Sequence, residues 1–214
     1  MWKIAIGKSG RTRVHNSLDV LLSTTSKLIL TGLPANYRPE SIIARDPILF
    51  REWMATNGGS AYIIKPVNSF LSRGVQHVDE GSLLSYFRQT NPIHHQRFYL
   101  MEKVIPDWWT RELRVWFINF SFVFAVRKIY PDTTHVLDNN KCHYEEVTLK
   151  AAEQAAIASL EQFLRSINVT MAGVNLIHGK ITDINIESPG LIKEGALLLG
   201  NEEIITRQMQ ILIA

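Results

Sequence analysis

Two polar segments of this chain carry residue types that could do phosphate and carboxylate chemistry. The first surrounds Lys65, the last charged residue of the apolar run Tyr62-Ile63-Ile64-Lys65-Pro66, followed by Asn68-Ser69-Phe70-Leu71-Ser72-Arg73-Gly74. A lysine fixed at a strand end beside a loop can bring a positive charge and backbone N–H groups around phosphate oxygens. The second is Asp183-Ile184-Asn185-Ile186-Glu187. A strand period of two places Asp183, Asn185 and Glu187 on one face and the two isoleucines on the other. Three oxygen-bearing side chains in a row suit a hard cation such as magnesium, which takes carboxylates together with phosphate oxygens. An ordinary solvated hairpin face has the same alternation.

The elements that must position these residues alternate between strand and helix patterns. Residues 2–6 read as a short strand. Asn16 or Ser17 caps a helix through Leu18, Leu21 and Leu22. Asp46-Pro47 starts a helix that runs through Phe50, Trp53 and Met54 to Asn57-Gly58-Gly59. A strand over 62–66 returns over 74–78, a short helix spans 82–88, and another strand spans 98–104. Residues 113–118 and 122–127 flank Asn119-Phe120-Ser121 as a hairpin. A polar loop is expected over 130–143, then the longest helix, capped by Thr148, with Leu160, Phe163, Leu164 and Ile167 at helical spacing. Strands over 169–177 and 180–186 surround His178-Gly179, and a helix over 202–213 closes the chain. The order is mixed α+β, not a regular βαβ alternation.

Composition bounds the function classes. The chain has 214 residues, 46% hydrophobic and 20% charged, enough apolar material for a core and too much for disorder. No apolar run approaches the ~20 residues of a membrane helix, so no membrane role is expected. Cys142 is the only cysteine, which excludes an intrachain disulfide and fits a reducing cytoplasm. The net charge of +3 is concentrated at the start, where Lys3, Lys8, Arg11 and Arg13 precede the first acid, Asp19. A basic arm on a near-neutral body is a weak footprint for nucleic acid, which is not expected as a partner. Gly7-Lys8-Ser9-Gly10 lacks the first glycine of a phosphate loop. His94 and His95 point to opposite faces if on a strand. Trp108, Trp109, Trp116 and Phe117 read as core filling around the hairpin.

The order of motifs resembles the ATP-grasp superfamily, and within it the glutathione synthetases, over residues 14–214. The residues are Val14-His15-Asn16-Ser17-Leu18 with Lys27-Leu28, Tyr62–Pro66, Arg111-Glu112-Leu113-Arg114-Val115, Ala172-Gly173-Val174-Asn175-Leu176-Ile177, and Asp183-Ile184-Asn185-Ile186-Glu187-Ser188-Pro189-Gly190. The last stretch is the most specific. The resemblance implies an ATP-grasp-like α+β fold of two small lobes with antiparallel sheets and packed helices. Residues 1–15 form the basic arm, 16–106 the first lobe and 107–214 the second. It implies ATP and magnesium as cofactors. Lys65, Ser72, Arg73 and Gly74 would contact nucleotide phosphate, and Met101, Glu102, Lys103 and Val104 would line the adenine pocket through their backbone. Arg114 and Arg127 would serve the reacting groups, and Asp183, Asn185 and Asn175 would hold magnesium. The implied reaction joins a small-molecule carboxylate to an amine through an acyl phosphate.

The sequence departs from that family at several points. The lid keeps only Gly74, with bulky Phe70 and Leu71 before it. Uncharged Pro47 falls where an earlier ATP-contacting lysine is expected. Asn175 replaces an aspartate and Asp183 a glutamate. Too few residues precede Val14 for the family's N-terminal domain, which is therefore expected to be absent. Three readings therefore stand: a ligase weakened by these changes, whose cleft a partner chain or second copy completes; a degenerate non-catalytic nucleotide-binding or partner subunit; or an adaptor that docks through its basic arm.

Overall fold

Strand alternation and turn punctuation produce two antiparallel sheets in the computed structural model, which describes residues 16–200 except 60, 70–71, 90–96, 132–141, 188 and 191, together with 203, 205, 206 and 210. The basic arm, His94-His95 and the lid residues Phe70 and Leu71 lie outside the described residues. So does most of the closing helix expected over 202–213. The mixed α+β architecture with two antiparallel sheets is the one expected.

The smaller sheet has the order β1-β4-β2-β3, from β1 (Ser41–Ala44), β2 (Tyr62–Pro66), β3 (Gln76–Val78) and β4 (Tyr99–Lys103). Two helices, α2 (Pro47–Asn57) and α3 (Leu83–Gln89), pack on it. Asp46 caps α2 by accepting a hydrogen bond from the Ile48 N–H at 2.9 Å, and Pro47 fits the first turn, where no N–H is needed. Phe50, Met54, Leu83, Tyr86 and Phe87 meet Tyr62, Ile64, Tyr99 and Met101 in one aromatic-rich core.

The larger sheet has the order β7-β6-β5-β8-β9. Its strands are β5 (Glu112–Ile118), β6 (Ser121–Ile129), β7 (His143–Glu146), β8 (Met171–Ile177) and β9 (Lys180–Asn185). Asn119 and Phe120 both have positive φ, as do His178 and Gly179, so each hairpin turns in two residues. β7 pairs with β6, and residues 132–141 of the loop expected over 130–143 lie outside the described residues. Helix α5 (Ala151–Ser166) lays Ala156, Ile157, Leu160 and Leu164 against Val115, Phe117 and Val174. It starts three residues past Thr148, because the Glu153 carboxylate accepts the Lys150 N–H at 2.7 Å and closes the helix end there. The opposite face of the sheet carries Trp116, Phe124 and Val126, with Ile192 of α6 (Ile192–Leu198) packed against them.

Helix α1 (Leu18–Thr24) and the 3-10 turn Lys27–Gly32 place Val20, Leu21, Ile29 and Leu30 in the core of the larger sheet. Asn16 does not cap α1. Its amide donates to the carbonyls of Met171 and Ile186 at 2.6 and 2.7 Å, and its carbonyl accepts the Met171 N–H at 3.0 Å. These bonds tie the start of the described chain to β8 and to the segment after β9. Between β4 and β5 the chain passes through α4 (Trp108–Arg111), entered at Asp107 with φ +57°.

Candidate functional site

The site lies where the two sheets face each other. In the smaller sheet Ile63 pairs with Glu102, so Lys65, two residues on, shares the face of Glu102. The Lys65 ammonium donates to Glu102 Oε2 at 2.5 Å and to the Thr182 carbonyl of β9 at 2.9 Å, so one lysine joins both sheets. Burial pushes the Glu102 carboxyl above its usual range, although Lys65 pulls it down. From the 3-10 turn, Lys27 approaches Asp183 Oδ1 at 3.5 Å and donates to the Ser69 carbonyl at 3.3 Å. Burial would raise the Asp183 carboxyl, but Lys27, Lys65 and Arg114 outweigh it and hold it below its usual value.

On the larger sheet, Arg114, Asn175 and Asp183 stand in one row across β5, β8 and β9. Arg114 Nη1 donates to Asn175 Oδ1 at 2.9 Å, while Arg114 Nε has no hydrogen-bond partner although the residue is only 6% exposed. Burial lowers the Arg114 pKa against the opposing pull of Asp183 and Glu112. Gly173 makes room for this guanidinium, since a Cβ there would stand 2.4 Å from Arg114 Nη2. Glu112, two residues before Arg114 on the same face, accepts from Lys128 at 2.9 Å and from the Tyr130 hydroxyl at 3.2 Å.

A cavity of about 420 Å³ opens between the sheets, within the size range of small-molecule sites. One end is apolar, with Ile63, Val104, Ile105, Trp108 and Ile177 around His77. The lining is also charged and polar, with Lys27, Lys65 and Lys103 beside Glu102, Glu112, Asp183 and Glu187, and with Ser72, Asn175 and Asn185.

Of the residues singled out in the sequence, Lys65, Ser72, Glu102, Lys103, Val104, Asn175, Asp183 and Asn185 line this cavity. Five of the expected site residues, Arg114, Arg127, Met101, Arg73 and Gly74, lie outside this lining. Arg127 pairs with Leu113 and therefore sits on the α5 face of the sheet, away from Arg114; the cation on the cleft face of β6 is Lys128. Met101 is fully buried in the core of the smaller sheet and turns away from the cavity. Arg73 and Gly74 are exposed outside the lining, and Gly74 instead forms a turn at φ +73° whose carbonyl accepts the Tyr86 hydroxyl at 2.8 Å. The backbone N–H groups of Lys103 and Val104 are already committed to the Glu40 and Ala61 carbonyls, because β4 is an inner strand.

Three cavity residues went unrecognised as site residues. In the sequence reading Lys27 appears only beside Leu28, Trp108 only as core filling, and Glu112 only within the motif over 111–115. Glu112 had a signal: an acid in an apolar strand whose hairpin partner strand carries a lysine.

The expected magnesium ligands Asn175, Asp183 and Asn185 all line the cavity, as does Glu187. Asn175 Oδ1 is engaged by Arg114, Asp183 faces Lys27, and the described residues contain no group of three or more His, Cys, Asp or Glu arranged to hold a metal. Among the described residues no helix is long and apolar enough to cross a membrane.

Comparison with known proteins gives this geometry its context. The family model of the prokaryotic glutathione synthetase ATP-grasp domain matches residues 26–197. Glutathione synthetase of Bradyrhizobium diazoefficiens is 24% identical over 197 residues, covering 89% of this chain and 60% of that enzyme. The Synechocystis glutathione synthetase is 21% identical over 187 residues, covering 86% and 57%. The chain thus spans about 60% of the length of the curated relatives it matches. Among solved structures, D-cycloserine synthetase DcsG superposes with a TM-score of 0.69 at 15% identity, over 90% of this chain and 74% of that one. D-alanine–D-alanine ligase from Bacillus anthracis gives 0.58 at 15% identity, over 90% and 66%. These structures share the fold.

Proposed function

The chain belongs to the prokaryotic glutathione synthetase ATP-grasp family, and on that premise we propose that it is an ATP-dependent ligase joining a small-molecule carboxylate to an amine in the cytoplasm. The observation that carries this reading is the cleft between the sheets, lined by Ile63, Val104, Ile105 and Trp108 and also by Lys27 and Lys65 beside several carboxylates. A purine fits against Trp108, Val104 and Ile105, and phosphates reach toward Lys65 and Lys27. ATP supplies the phosphoryl group that turns an unreactive carboxylate into an acyl phosphate with a good leaving group. The residues of this chain bind and orient. Lys65 is held by Glu102 and the Thr182 carbonyl, so its charge is fixed before any ligand arrives. Arg114, carried on the larger sheet, has an unsatisfied Nε on a nearly buried guanidinium. Such a preorganised donor suits an anion formed during transfer. Asp183, Asn185 and Asn175 would hold magnesium, which would spread the charge of the transferring phosphoryl group.

Titration calorimetry and thermal unfolding with millimolar ATP test this reading. A ligand present at a hundred times its Kd adds about 2.7 kcal/mol of stability. In a chain of this size that is a rise in Tm of roughly 5–10 °C. No heat and no shift would remove the nucleotide site.

A further inference from the structure

Asp183 and Asn185, alternate residues of β9, line the cleft together with Glu187, an oxygen-bearing set of the kind a hard cation takes. A protein cation already stands beside it. The Lys27 ammonium lies 3.5 Å from Asp183 Oδ1 and donates to the Ser69 carbonyl at 3.3 Å. Its backbone is anchored too: the Lys27 N–H donates to the Val67 carbonyl at 3.0 Å, and Ile29 and Leu30 of the same 3-10 turn are buried. Only 12% of the Lys27 side chain is exposed, so water does little to screen its charge. Burial would raise the Asp183 carboxyl, and Lys27 is the strongest of the cations that hold it low instead. Two other carboxylates of the lining have closer partners elsewhere. Glu102 accepts from Lys65 at 2.5 Å, and Glu112 accepts from Lys128 at 2.9 Å. The Lys27–Asp183 contact is longer than either, a pair that can open.

We propose that Lys27 is a built-in counter-cation at the magnesium position, which keeps the affinity of the ligand-free cleft for divalent ions low. Oxygen ligands sit about 2.1 Å from magnesium. A divalent ion on Asp183 Oδ1 would therefore lie within about 5.6 Å of the Lys27 ammonium. Even at the permittivity of water, repulsion between a double and a single charge at that separation weakens binding about tenfold. A less polar cleft makes the effect larger. A polyphosphate in the cleft offers the Lys27 ammonium another acceptor, so the same lysine can yield the carboxylate once nucleotide arrives. This inference rests on the nucleotide reading above and adds how the metal position is guarded before the phosphates enter.

The test is titration of the full chain with manganese(II) in the absence of nucleotide, the free ion being counted by its electron paramagnetic resonance signal. Manganese takes the same oxygen ligands as magnesium. Lys27→Met should bind the ion about tenfold more tightly than the parent. Lys27→Arg, which keeps the charge, should bind it like the parent. Adding Asp183→Asn to Lys27→Met should remove the gain. Thermal unfolding without ligand checks that each variant is folded, and Lys27→Gln takes the place of Lys27→Met if that one is not. A gain under about threefold in the neutral variant overturns the inference, and absence of binding by parent and variant alike counts as such. So does an equal gain in Lys27→Arg, or a gain that survives Asp183→Asn. Because the titration contains no nucleotide, each of these outcomes leaves the nucleotide reading standing; that reading fails only if ATP gives neither heat nor thermal shift.

Discussion

Replacing Lys65 with alanine isolates the buried pair that joins the two sheets. The Lys65 and Glu102 side chains are 8% and 3% exposed, so water cannot take over the lost partner. Removing one member of a buried pair costs about 3–5 kcal/mol, mostly because the other charge is left uncompensated. The orphaned Thr182 carbonyl adds to this within the same range. For a chain of this length the Tm should fall by roughly 6–20 °C. The pH dependence follows from Glu102, whose pKa burial already raises and Lys65 partly restrains. Without Lys65 it rises further, so the folded state holds a proton that the unfolded state has released. Stability of the variant therefore falls as pH rises from the ordinary glutamate range through the folded value, and the penalty is smaller at about pH 5 than at about pH 8. Thermal unfolding followed by circular dichroism at both pH values measures this. Replacing both partners, Lys65→Met with Glu102→Leu, should recover most of the loss, since apolar replacement of a buried pair is often neutral. A single-variant loss below about 2 °C, or one equal at both pH values, would show that the pair is wetter than its burial states.

Other substitutions read other parts of the structure. Gly173→Ala places a Cβ 2.4 Å from Arg114 Nη2; an overpacked site of this kind costs about 1–3 kcal/mol, checked by urea unfolding. Asp46→Ala removes the α2 cap and should cost about 1 kcal/mol in the same assay. Asp183 is held below its usual pKa, so its contribution to stability is present above the unfolded value and fades as pH falls through the folded one. The stability gap between the parent and Asp183→Asn should therefore narrow as pH drops below about 3.9, as followed by acid unfolding.

What the sequence made legible were local signals. Asp46-Pro47 announced α2 because a cap and a first-turn proline act within a few residues. The alternation over 183–187 separated Asp183 and Asn185 from Ile184 and Ile186, which are buried in the core, because strand period decides faces. The same rule was available for Arg127. Arg114 and Val126 are register partners, so the residue after Val126 must turn to the other face. Pairing register depends on where the hairpin turns, and positive φ at Asn119 and Phe120 moved the start of β6 to Ser121, a step from the expected strand.

Lys27 and Asn16 were illegible for a different reason. Nothing within ten residues of Lys27 marks it as a site residue, and its carboxylate partner lies on a strand more than 150 positions away. Likewise, Asn16 reads as a helix cap from its neighbours, yet its amide closes the gap between β8 and the segment after β9. A capping asparagine needs only one N–H two or three residues on. One that satisfies two buried carbonyls and an N–H from distant strands does more, because each of those groups would otherwise be left unpaired. The long-range contacts chose between roles that local chemistry permits equally. Since Lys27, Asp183 and the Lys65–Thr182 bond all cross between elements far apart in sequence, the charge balance of the cleft follows from how the two sheets meet rather than from any single motif.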